Sequence, residues 1–121
     1  MSYKDWRVRV DDMLESIRKS LSYVDGMDCA AFVADERTVD AVARNLEIIG
    51  EAANKMPQHI RDDFPLVPWE RIGEMRHVLI HEYHSVNPEI LYRTVTDEMP
   101  PLVPMLKAVL DQADDDRDAA Q

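Results

Sequence analysis

Apolar side chains return along this chain at helical intervals, and that rhythm constrains the fold more than any other feature. Trp6, Val10, Met13, Leu14, Ile17 and Leu21 recur at the 3.6-residue spacing that lines one face of a helix. The stripe predicts a first helix over residues 2–24, stopped by Asp25-Gly26. A short helical turn is expected over 28–34 and a long helix over 35–56. In the long helix Val39, Val42, Leu46, Ile49 and Ala53 repeat at threes and fours. Its other faces also carry Val33, Ala41, Ala43, Ile48 and Ala52. A helix apolar on two sides packs against two neighbours, here expected to be another helix of the chain and a second subunit.

Prolines punctuate the rest. Pro57 ends the long helix, and 57–68 reads as a loop with one helical turn. Pro68-Trp69-Glu70 starts a helix expected to run to about Tyr83, with Ile72, Met75 and Leu79 facing inward. Asn87-Pro88-Glu89 supplies a cap, a first-turn proline and an early acid for the next. Met99-Pro100-Pro101 must kink or break that helix, and the chain can restart over 101–110. There are only three glycines and no alternating strand pattern, so the predicted fold class is all-α: a bundle of four to five helices. One domain over 1–110 and an acidic, disordered tail over 111–121 are expected.

Charge narrows the function classes. The formal net charge is −10; the tail holds five acids and one base, leaving −6 on the body. A broad cationic coat for phosphate backbones is excluded, so a nucleic-acid role needs a local site. Cys29 is the only cysteine, which fits a reducing, cytoplasmic setting. No apolar run approaches the ~18 residues of a membrane span.

Chemistry concentrates in Glu74–His84, which holds three of the four histidines. An arginine fork matches phosphate oxygens, and histidine moves protons near neutrality. Tyrosine can donate a hydrogen bond, stack on a base or accept a covalent group. Arg76, His81 and Tyr83 together suit metal-free RNA cleavage. His81 would take the ribose 2′-OH proton, and Arg76 would offset charge growing on the phosphoryl oxygens. In one continuous helix Arg76 and Tyr83 share a face, but Arg76 and His81 diverge by about 140°. The bland alternative stays open: Arg76 pairs with a surface acid, His81 meets the helix dipole, and Tyr83 packs half-buried. His77, His81 and His84, with Glu74 nearby, also fall at metal-ligand spacing, although solvent exposure is the commoner outcome. Segment 71–93 is neutral before any histidine protonates, with Arg71, Arg76 and Arg93 against Glu74, Glu82 and Glu89.

Arg76-His77-Val78-Leu79-Ile80-His81-Glu82-Tyr83 resembles the R-x4-H-x-Y motif of HepT-like toxins in the HEPN superfamily. Asp40–Ala53 resembles that family's long-helix signature, and Val67-Pro68-Trp69, Met75-Arg76 and Val86-Asn87-Pro88-Glu89 follow in the family's order. The match runs roughly from residue 4 to residue 110. The resemblance implies a homodimeric HEPN bundle and a metal-independent, cofactor-free endoribonuclease toxin of a type VII-like toxin–antitoxin pair. It implies Arg76 and His81 as the catalytic pair, with RNA as substrate. The partner implied is an MntA-type minimal nucleotidyltransferase antitoxin that transfers AMP to Tyr83 and can form a hetero-oligomer with the toxin. Two motif helices meeting across a twofold axis would reconcile the 140° divergence.

His77, Asn45 and Glu51 are candidate supporting residues. His77 stands where many relatives carry Asn. Asn45 is expected either to hydrogen-bond the motif helix or to face solvent. Gly50 costs about 1 kcal/mol relative to Ala inside a helix, and is read as permitting close contact at the dimer seam. Trp6 and Trp69 are read as core anchors, and Cys29 as a small buried hydrophobe. The alternative function is a non-catalytic HEPN dimer that binds a nucleotidyltransferase.

Overall fold

The computed structural model describes residues 5–119, with side chains described over 5–112. Among the described residues the fold is all-helical and holds seven α-helices, where four to five were expected. The excess comes from short helices, Cys29–Ala34 and Gln58–Asp63, that lie where only single turns are expected. Most of the tail expected over 111–121 lies outside the described side chains, and the final helix is traced to Ala119.

Helix α1, Trp6–Val24, starts where Asp5 accepts from the Arg7 amide at 3.0 Å. Val10, Met13 and Ile17 are buried from its predicted stripe, while Trp6, Leu14 and Leu21 pack half-buried at its margin. Gly26 ends the turn after α1 with φ 77°, a conformation that favours glycine. Helix α2, Cys29–Ala34, is capped by Asp28, which accepts from the Ala31 amide at 2.8 Å. Cys29 is only half-buried there, not the buried hydrophobe expected.

Helix α3, Glu36–Asn54, is the central element. Its whole seam, Val39, Val42, Leu46, Ile49 and Ala53, is buried. Of the second apolar side, Ala43 and Ala52 are buried by the chain itself, while Ala41 and Ile48 are half-buried. Helix α3 packs against α1 on one side and against α5, Trp69–His81, on the other. Val33 falls in α2 and is exposed. Between α3 and α5 sits the short α4, Gln58–Asp63, whose Arg61 donates to the Ala53 carbonyl at 2.7 Å and so satisfies the end of α3. Trp69 is buried and donates from Nε1 to the Phe64 carbonyl at 3.0 Å, an anchor with its polar handle satisfied.

After a 3-10 turn at Tyr83–Ser85 comes α6, Pro88–Arg93, capped by Asn87. Residues Thr94–Glu98 form a π-helical turn, closed by the Met99 amide on the Thr94 carbonyl at 3.0 Å. The prolines at 100 and 101 then break the helix as expected. Helix α7, Leu102–Ala119, returns along α1 with Leu106 and Val109 in the core. No helix of the described residues is long and apolar enough to cross a membrane.

Candidate functional site

Helix α5 carries the motif, and a glycine on α3 lets it come close. A Cβ added to Gly50 would lie 2.5 Å from Arg76 Cβ and 3.0 Å from the Ile72 carbonyl oxygen. The first separation is shorter than real Cβ contacts and the second is tight, so a side chain at 50 would push the helices apart. The close approach expected at a dimer seam is thus made inside the chain, directly beneath Arg76. Asn54 donates to the Gly73 carbonyl at 3.3 Å one turn further along.

Arg76 is half-buried at this crossing, and no ion pair engages it among the described residues. The surface-acid alternative does not hold in its simple form. The nearest acid with a perturbed state is Glu51, which is paired with Lys55 at 3.3 Å. The Lys55 hydrogen bond, foremost, holds the Glu51 carboxyl below the usual carboxylate range, and the positive charges of Arg76 and Arg9 add to it. Glu51 therefore sits beside three cations, and Arg76 keeps its donors. Asn45 does not support α5. It is 7% exposed and donates to the Ala41 carbonyl of its own helix at 2.9 Å, so it neither reaches the motif nor faces water.

His77 and His81 are exposed one turn apart on α5, with ring centroids 4.5 Å apart. The contact restricts the rotamers open to His81, the last residue of the helix. His84 leaves the stripe because α5 stops before it. Among the described residues no group of three His, Cys, Asp or Glu side chains is arranged to hold a metal. Arg76 and His81 both remain in α5, so their directions stay about 140° apart, and no hydrogen bond joins them. Arg71 is tied to Glu98, which removes one cation from the neutral segment around the motif.

Tyr83 departs from the expected face. Glu82, at φ −130° and ψ 23°, ends the helix, although its amide still donates to the Val78 carbonyl at 2.8 Å. Tyr83 then enters the 3-10 turn and swings back over α3. Its hydroxyl donates to Asp40 Oδ1 at 2.5 Å, and its ring closes a recess lined by Asp40, Ala43, Arg44 and Glu47. The hydrogen bond to Asp40, then burial, then the charges of Asp40, Glu36 and Glu47 push the phenol up to about 12. In this arrangement the phenol is a poor nucleophile. Asp40 belongs to the site and the sequence reading did not single it out. It lies on the polar face of α3, 43 residues from its partner, and no local pattern links the two.

The Ribonuclease HepT-like family matches residues 13–109. A Methanocaldococcus jannaschii protein named as a candidate RNase is 35% identical over 100 residues, covering 83% of each chain. A Caldanaerobacter subterraneus protein named likewise is 36% identical over 104 residues, covering 86% of this chain and 93% of its own. A Thermococcus cleftensis protein named "Probable ribonuclease HepT" is 35% identical over 101 residues, covering 84% of this chain and 89% of its own. No solved structure gives a significant match. By family match and by relatives of like length, this chain belongs to the HepT-like ribonucleases.

Proposed function

We propose that the chain is a metal-independent endoribonuclease toxin working in the cytoplasm, with Arg76 and His81 as its catalytic pair. The observation that carries this reading is the accessibility of both groups on one helix of a HepT-like ribonuclease. His81 is exposed at the helix end, and Arg76, half-buried, is in no ion pair among the described residues. His81 takes the proton of a ribose 2′-OH, and the freed oxygen attacks the adjacent phosphorus. The 5′ oxygen of the next nucleotide leaves, and a 2′,3′-cyclic phosphate remains. Arg76 offsets the charge gathering on the phosphoryl oxygens. A strand without a 2′-OH is not cut.

One protomer aims the pair in different directions, so the working site is composite. Two α5 helices related by a twofold axis bring Arg76 of one to His81 of the other. Val78 and Ile80, exposed by 40% and 44% on α5, supply apolar surface for such a contact. The regulator is a minimal nucleotidyltransferase of the MntA type, which transfers AMP from ATP to Tyr83 and releases pyrophosphate. Coexpression with that partner is expected to add AMP masses to the intact protein, absent in Tyr83→Phe.

Expression of the wild type is expected to arrest growth, and Arg76→Ala or His81→Ala to relieve the arrest. Losing a general base costs about a hundredfold or more in rate, enough to free a cell from a toxin. Equal toxicity of all three proteins would contradict the assignment. The acidic body favours one rival, a non-catalytic dimer that only binds the nucleotidyltransferase. Growth arrest that depends on His81 excludes it.

A further inference from the structure

The end of α5 is held to the rest of the molecule at very few points. Leu79 is the last buried side chain of the helix, and Ile80, His81 and Glu82 are all exposed. The next buried residue is Leu91, in α6. Between them Tyr83 and Val86 pack half-buried against the core. Among the described residues, the Tyr83–Asp40 bond is the one side-chain hydrogen bond that ties 80–86 to another element. It spans 43 residues and joins the turn after His81 to the middle of the bundle.

We propose that Asp40 and Tyr83 form a latch that fixes the end of α5 and thereby positions His81. This deepens the ribonuclease reading given above and rests on it for its consequence in catalysis. Asp40 and Tyr83 are positioning residues: they touch the turn, not the RNA. The latch works only while Tyr83 Oη carries its proton, because Asp40 can only accept. The charges of Glu36, Asp40 and Glu47 act on that oxygen, and Arg44, which lines the same recess, is already paired with Glu47 at 3.4 Å.

Nucleotide addition removes the donor. The Oη–phosphorus bond forms, the bond from the α-phosphorus to the bridging oxygen breaks, and pyrophosphate leaves. The phenolic proton passes to the Asp40 carboxylate that already accepts it, and then to water. The product is an anionic diester facing three carboxylates, so the turn must release. Modification thus acts on His81 through the backbone, in addition to any bulk it places near RNA.

Hydrogen–deuterium exchange on the intact protein tests this. The reporters are the amides of Glu82, Ser85 and Val86, which donate within the turn at 2.8, 2.8 and 3.1 Å. In Asp40→Ala and in Tyr83→Phe they are expected to exchange about tenfold faster, the effect of losing one hydrogen bond to a charged acceptor. Amides of α1 should be unchanged, which shows that the bundle is intact. The double variant should exchange no faster than either single one, because both remove the same bond. In RNA cleavage the single variants are expected to lose kcat about tenfold with KM nearly unchanged. Unaltered exchange in the turn would overturn the latch, as would additive effects in the double variant. Faster exchange with full kcat would overturn the positioning of His81. If the wild type cuts no RNA, the ribonuclease reading fails at these residues, while exchange still decides the latch.

Discussion

At Tyr83 a proton is shared between a phenol and a carboxylate in a ring of acids, and its titration is open to measurement. The phenol is pushed up to about 12, chiefly by the Asp40 hydrogen bond. A group whose folded value is raised contributes stability that is fully present below its unfolded value. That contribution is lost as pH rises through the folded value, so the window lies between about 10 and 12. Phenolate absorbance of the wild type is expected to include a step near 12 from Tyr83. That step should be missing in Tyr83→Phe and should move down in Asp40→Asn. A difference between wild type and Tyr83→Phe that is complete near pH 10 would contradict the geometry. Arg76, His81 and Tyr83 stand out as candidates in the sequence because their chemistry and short spacing lie in one segment. Asp40 was not, because its role exists only after the chain turns at Glu82. Asn45 was misread for a related reason: spacing places a residue on a helix, but packing decides which face is covered.

Among the elements, the crossing of α3 and α5 controls where Arg76 stands. Two effects compete in Gly50→Ala. Helix propensity favours alanine by about 1 kcal/mol. Against it, the new Cβ would meet Arg76 Cβ at 2.5 Å, and overpacking of that kind costs about 1–3 kcal/mol. The clash is with a side-chain root and with backbone, which cannot step aside, so it wins. Gly50→Ala is expected to lower Tm by a few degrees and to weaken RNA cleavage by displacing Arg76. A rise in Tm with full activity would show that the helices can part freely. Gly73→Ala should be milder, since its clash is with the far end of Asn54, an exposed side chain. Helices α1 and α3 were readable because their stripes are long and periodic. The π turn at Thr94–Glu98 was not, because one widened turn leaves no period in the apolar pattern. Sequence shows that a face is apolar, and only the fold shows that α1 and α5 both lie against α3.

For the whole molecule the question is how a chain with net charge −10 handles an anionic polymer. The body repels RNA at long range, so general binding is weak. The motif region offers Arg76 without a paired acid and three exposed histidines nearby. The proposed twofold cleft, holding one phosphate at a time, would reconcile these facts. Such a cleft needs no metal, because arginine supplies the fixed charge and histidine the proton transfer. The most direct measurement is cleavage of a single-stranded RNA by the purified protein in excess EDTA, with the ends of the products identified. The account predicts undiminished cleavage, a 2′,3′-cyclic phosphate on the upstream fragment, and at least about a hundredfold loss in His81→Ala. Loss of cleavage in EDTA, or equal rates for wild type and His81→Ala, would contradict it.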